Sequence, residues 1–279
     1  MKYMKLYTKI LIPIIFALLA IIIVIATIPK FPKDYGVYLG VNENLEQFSD
    51  TYIVVVDAQY FSANEIKSFV SKGHKVYSYI NVGSLENYRD YYSRFEDLTL
   101  DEYEHWDEEK WIDVSSEKWQ DFILNELAPS LLDKGISGFF VDNTDVYYQY
   151  QNDDILNGLA TIMKGLKSYD KDVIINGGDV FMDSYTQKLG SWDDVITGIN
   201  QESVFSYIDW DNNSFGIAEK SNREYFENYI KRYSSLGADI FIIEYTNDSK
   251  LMDEITHYCK KQGFHFYITD SVELSNTDY

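Results

Sequence analysis

Residues 138–147 read GFFVDNTDVY, an apolar run that ends in two carboxylates, Asp142 and Asp145. Comparable stops recur along the chain. VVVDAQYF ends its valines at Asp57, and YINVGSLENYRDYY supplies Asn81, Ser84, Glu86 and Arg89. INGGD carries Asn176 and Asp179, GINQESVF carries Asn200 and Glu202, FIIEYTND carries Glu244 and Tyr245, and Asp270 follows the last apolar run. Any one of these could simply cap a following helix. Carboxylates at the ends of at least five such runs point instead to one acidic site.

Paired carboxylates among Asn and Tyr suit hydrolysis of a glycosidic bond. One acid attacks the anomeric carbon or activates water, and the other protonates the leaving oxygen. Repulsion between the two helps keep one of them protonated near neutral pH. Tyr60, Tyr88, Tyr91, Tyr92, Trp106, Tyr147, Tyr148 and Tyr245 are candidates to stack on sugar faces. The four His show no H-x-H or H-E-x-x-H spacing, so no zinc or non-haem iron site is expected. There is no G-x-S-x-G elbow and no G-x-G-x-x-G turn, which argues against a serine hydrolase and a dinucleotide enzyme. No cofactor is expected.

The elements that must position these residues alternate in type. Short β-branched or aromatic runs lie at Gly36–Leu39, Tyr52–Val56, Lys75–Ile80, Gly138–Val141, Val173–Asn176, Val195–Ile199, Asp239–Ile243 and Phe264–Ile268. Between them stand helical patterns. Ser62 caps SANEIKSFVSKG with Glu65 three residues on, Ser116 and Gly135 bracket a second, and Asn222 and Gly237 a third. Eight βα units over about 245 residues predict an α/β fold, a (β/α)8 TIM barrel, in preference to an open doubly wound sheet. The connections at 84–116 and 201–222 are long. In a barrel both would lie on the C-terminal face, where active sites are built.

Lys2, Lys5 and Lys9 precede an apolar run, Ile10–Ile28, of 19 residues interrupted by Pro13. That is close to the roughly 20 residues that span a bilayer. Residues 1–33 are therefore expected to form an N-terminal transmembrane signal anchor. The flanking lysines place the 34–279 domain outside the cytoplasm, on the cell membrane, or secreted if the anchor is cleaved. Cys259 is the lone cysteine, so no intrachain disulfide can form. Five basic residues precede Asp34, which leaves the rest with 19 Lys/Arg against 45 Asp/Glu and a net charge near −26. Such a surface repels nucleic acid and attracts a polycation.

The motifs VVVDAQYF, G-x-x-E-x-Y-R, WIDV, KGISGFFVDNTDVY, INGG and NQESVF, in that order from about Tyr35 onward, resemble glycoside hydrolase family 114. Members are endo-α-1,4-polygalactosaminidases and related TIM barrels. The resemblance implies retaining cleavage of α-1,4-linked, partly deacetylated and so cationic galactosamine polymers, such as occur in biofilm exopolysaccharide. It makes Asp142 the nucleophile and Glu202 the general acid/base. It places Asp57, Glu86, Arg89, Asn143, Asp145 and Glu244 at sugar subsites, beside the mouth residues Tyr60, Asn176 and Tyr245. The expected separation of the Asp142 and Glu202 carboxyls is about 5–5.5 Å. The 93–110 loop departs from the family in being acid-rich and Gly-poor, which bears on substrate preference. The rival expectation is a non-catalytic cell-surface barrel that only holds polysaccharide.

Overall fold

A computed structural model describes residues 31–104 and 106–275. The Ile10–Ile28 run, on which the expected anchor rests, lies outside them. Among the described residues no helix is long and apolar enough to cross a membrane.

Eight parallel strands follow one another in chain order: β1 (Lys33–Val37), β2 (Thr51–Val56), β3 (Lys75–Asn81), β4 (Gly138–Asp142), β5 (Asp172–Asn176), β6 (Gly198–Glu202), β7 (Asp239–Tyr245) and β8 (His265–Thr269). β8 returns beside β1, where His265 meets Asp34, so the sheet is a nearly closed barrel. The side-chain period of 2 sorts each strand. Tyr35, Val37, Ile53, Val55, Tyr77, Tyr79, Phe140, Ile174, Phe241 and Ile243 fill the interior. Their neighbours Val54, Val56, Val76, Ile80, Phe139, Val141, Val173, Ile175, Ile240 and Ile242 face outward and pack in the larger core beneath the helices.

The helices follow their caps closely but not everywhere. Ser62 and Glu65 form a reciprocal capping box at the head of Ala63–Ser71. The helix after residue 116 is helical to Asp133 but passes through a π turn at Ile123–Leu127. Pro129 stands just beyond and has no N–H for the regular ladder, which accounts for the shift. The helix expected with Asn222 as its cap begins three residues earlier, at Lys220 with Glu219 in the cap position, and ends as predicted at Gly237 with φ 102°.

Two strands start three residues away from the expected runs, and the other six agree with them within one or two residues. β1 begins three residues earlier and ends two residues earlier, while Tyr38, just past its end, still donates its N–H to the Val55 carbonyl and stacks its ring on Phe48 at 3.9 Å. β6 begins at Gly198 rather than Val195. Val195 and Ile196 are buried by packing after the Trp192–Asp194 turn, without joining the ladder. Apolar character alone does not separate these two kinds of burial. The shift makes Glu202 the last residue of β6 rather than a loop residue.

Both long connections carry structure of their own over the C-terminal mouth. The third folds into an antiparallel sheet of Ser84–Glu86, Glu109–Ile112 and Thr99–Glu102. The sixth holds a hairpin of Ser206–Asp209 and Ser214–Ile217. The first of these is pinned to the barrel by Val82 N–H donating to the Asp142 carbonyl at 3.2 Å and by Trp119 Nε1 donating to the Val82 carbonyl at 2.8 Å. Gly83 makes that approach possible, since a Cβ there would stand 1.7 Å from the Asn143 carbonyl oxygen. Gly83→Ala should therefore cost about 3 kcal/mol, a fall in Tm of roughly 6–12 °C in thermal unfolding.

Candidate active site

Asp142, Asn176 and Glu202 are the final residues of β4, β5 and β6, three adjacent strands. Each has the parity of the interior row below it, so all three side chains rise into the mouth. Asn176 Nδ2 donates to Asp142 Oδ1 at 2.9 Å and to Glu202 Oε1 at 2.8 Å. One nitrogen thus holds both carboxylates, and these two oxygens lie no more than about 5.7 Å apart. Asn176 is itself oriented from below. Asn200 Nδ2 donates to its Oδ1 at 2.7 Å, and Tyr35 Oη donates to Asn200 Oδ1 at 3.1 Å. Tyr245 Oη donates to the other Glu202 oxygen at 2.5 Å. Burial pushes the Asp142 carboxyl up to about 6, with the Glu202 charge adding and the Asn176 hydrogen bond opposing.

Asn143 follows with φ 64°, a conformation Asn tolerates better than most residues. Its amide joins the loop sheet, donating to Ser84 Oγ at 3.0 Å and Glu109 Oε2 at 3.2 Å, while its Oδ1 accepts from Tyr103 Oη at 3.0 Å. Asp145 lies just beyond. Burial first, then the charges of Asp179 and Asp142, push its carboxyl up to about 7.

Asp57, Glu86 and Arg89 form a closed ion-pair set on the opposite wall. Arg89 reaches Asp57 Oδ2 at 2.5 Å and clasps both Glu86 oxygens, at 2.5 and 2.9 Å. Asp57 also accepts from the Gln59 N–H at 3.0 Å, and Tyr88 Oη donates to Glu86 at 2.8 Å. All three ion-pair side chains are at most 5% exposed. A bidentate, buried set of this kind is costly to open by removing one member.

Together these groups line a cleft of about 630 Å3. Every residue assigned to catalysis or to a sugar subsite lines it except Glu244, whereas the run-end residues Asn81, Ser84, Asp179, Asn200 and Asp270 do not. Glu244 has the outward parity of β7, between Ile243 and Tyr245, and is fully buried behind the sheet. There its carboxylate accepts from the N–H groups of Val204, Phe205 and Ser206 at 2.8–2.9 Å and from Ser206 Oγ at 2.6 Å. It therefore anchors the turn that leaves β6 just after Glu202, and does not touch the mouth. Burial pushes its carboxyl up to about 7 against those hydrogen bonds.

Of the aromatic candidates, Tyr60, Tyr88, Trp106 and Tyr245 line the cleft. Tyr91, Tyr92 and Tyr147 pack with the outer core, and Tyr148 is exposed away from it. Glu109, Tyr103 and Trp210 are among the cleft residues that escaped the sequence reading. Trp210, on the hairpin, meets Trp106 edge to face at 6.0 Å, so the two long connections touch above the cleft. Glu109 sits two residues before the WIDV tryptophan, a strand-parity signal that was there to use. Among the described residues no group of His, Cys, Asp and Glu has the arrangement of a metal site.

A barrel with a carboxylate pair at its C-terminal mouth is the architecture of many glycosidases, and the comparisons specify which. The chain belongs to glycoside-hydrolase family GH114, whose model matches residues 27–278, and it is a glycoside hydrolase. The fold is similar to the glycoside hydrolase domain of PelA from Pseudomonas aeruginosa, with a TM-score of 0.72 at 15% identity over 88% of this chain and 97% of that one. It is also similar to Aspergillus fumigatus Ega3, solved in complex with galactosamine, with a TM-score of 0.67 at 18% identity over 89% and 95% of the two chains. No curated protein sequence matches the chain.

Two outcomes follow from this geometry. Glu244→Gln replaces an acceptor oxygen with a donor facing N–H groups and should lower stability by about 2–4 kcal/mol in denaturant unfolding. Asp142, Asp145, Glu109 and Glu244 are all raised to about 6–7, above the roughly 4 of the unfolded chain. The folded state therefore keeps protons that the unfolded chain releases, and stability is lost as pH rises through 6–7. Tm should be higher at pH 5 than at pH 8, and the opposite order would contradict these environments.

Proposed function

We propose that this GH114 barrel cleaves an α-linked galactosamine-containing polysaccharide, outside the cytoplasm, with retention of configuration. One observation carries the substrate class. Among the described residues Arg89 is the sole base lining the cleft, and it is already committed to Asp57 and Glu86, while Asp142, Asp145, Glu202 and Glu109 have no cation. Carboxylates buried without a counter-charge are expensive, so a substrate that brings ammonium groups gains what the free cleft lacks. The galactosamine seen with Ega3 agrees with that chemistry.

In this mechanism Asp142, ionised, attacks the anomeric carbon and forms a glycosyl-enzyme ester. Glu202 protonates the departing glycosidic oxygen, then takes a proton from the water that opens the ester. Asn176 keeps the two acids at bonding range of one sugar, and Tyr245 fixes the Glu202 oxygen that it touches. The close approach of the two carboxylates supports a direct-attack geometry over one with a water between acid and sugar. The extracytoplasmic setting rests on the lysine-flanked Ile10–Ile28 run.

The test is incubation of the full-length protein with partly deacetylated α-1,4-galactosaminan, followed by mass analysis of the products. Shorter oligomers with new reducing ends are expected. Asp142→Asn should lower kcat by at least about 1000-fold on every substrate. Glu202→Gln should lower it by about 100- to 10,000-fold on polymer, but far less on an aryl glycoside whose leaving group needs no proton. The wild-type rate should fall about tenfold per pH unit below about 6, as Asp142 takes up its proton. Polymer that binds but releases no reducing ends would instead identify a binding barrel.

A further inference from the structure

Glu109 reaches the cleft from the inserted sheet, not from a barrel strand. In that sheet it lies directly opposite Glu86, so two carboxylates face each other across an antiparallel pair. Like charges so placed destabilise a sheet unless something compensates. Glu86 is compensated by Arg89, which clasps both of its oxygens. Glu109 is not. One of its oxygens accepts from Ser84 Oγ at 2.5 Å, Asn143 Nδ2 at 3.2 Å and Asn81 Nδ2 at 3.4 Å, all neutral donors. Those donors hold the carboxylate in a fixed place beside Asp142, since Asn143 is its chain neighbour and Asn81 pairs with it in register. Among the described residues the second oxygen accepts no hydrogen bond, and the residue lines the cleft.

We infer that Glu109 is a specificity residue, a fixed carboxylate that receives the ammonium group of an amino sugar next to the scissile bond. The inference rests on the substrate class proposed above and assigns its recognition to one side chain. Ser84, Asn81 and Asn143 satisfy one face of the carboxylate and leave the other for the ligand. An arriving ammonium supplies the counter-charge that Arg89 gives to Glu86. An N-acetylated unit carries no charge and gains nothing comparable. Burial and the Glu86 charge push the Glu109 carboxyl up to about 7, so an ammonium ion there would also draw it into the ionised form.

The test measures binding of deacetylated α-1,4-galactosamine oligomers to the full-length protein by calorimetry at several salt concentrations, with Asp142→Asn in every sample to block turnover. Glu109→Gln should weaken binding about 10- to 100-fold and flatten its salt dependence. Glu109→Asp, which keeps the charge but shortens the reach, should lose affinity while retaining the salt dependence. Thermal unfolding of each variant separates these effects from misfolding, and Glu109→Gln should unfold at or above the parent Tm. Unchanged affinity in Glu109→Gln, or weaker binding with the parent salt dependence, overturns the assignment. If the parent binds no deacetylated oligomer at all, the substrate class itself fails, and that outcome is distinct from failure of Glu109 alone.

Discussion

Asn176 offers both hydrogens of one amide nitrogen to two carboxylates that would otherwise repel each other. The rest of the mouth is arranged around that shared donor. It needs the ends of three adjacent strands in a fixed register: Val141 pairs with Ile175 and Asn176 with Asn200, so Asp142 stands level with Asn176 and Glu202 two residues beyond it. It also needs the amide not to flip, which the chain from Tyr35 through Asn200 ensures. A charged clamp of Lys or Arg would hold the acids more tightly. It would also lower their pKa values and fill the space a sugar must occupy.

The cleft is therefore built with an electrostatic cost. Half-buried carboxylates at Asp142, Asp145 and Glu109 are only partly relieved by neutral donors, and loss of water contact is the largest cause of each shift. Stability sacrificed in this way at a functional site is common, and the surrounding barrel must make it good. Two closely packed apolar layers do so here, one inside the strands and one beneath the helices. The Asp57–Glu86–Arg89 set plays the opposite role. Its one guanidinium is shared between two carboxylates, so the set carries a net charge of −1 that is held within internal contacts on one wall of the cleft.

Positioning extends behind the sheet and above it. Glu244 uses its carboxylate as a backbone acceptor, tying down the turn that follows Glu202. The inserted sheet brings Glu109 and Tyr103 over Asn143, and Trp106 meets Trp210 across the top. The acid-rich 93–110 loop thus contributes to the site, with some of its acids on the surface and Glu109 facing the reaction.

Much of this was legible in the sequence because a barrel strand writes its own geometry. A run such as GFFVD names the strand, its end and, through the period of 2, the side chain that faces inward. The same arithmetic excludes Glu244, flanked as it is by the inward Ile243 and Tyr245. Local signals also set most helix limits, since Ser62 and Gly237 act within a few residues of themselves. What the sequence could not supply were relations between distant segments. The bridge from Asp142 to Glu202 through Asn176, the opposition of Glu109 to Glu86, and the meeting of Trp106 with Trp210 all join residues far apart in the chain. Their distances depend on barrel closure and on how each loop packs against its neighbours, so only the tertiary structure decided which acids are neutralised and which stand open to a substrate.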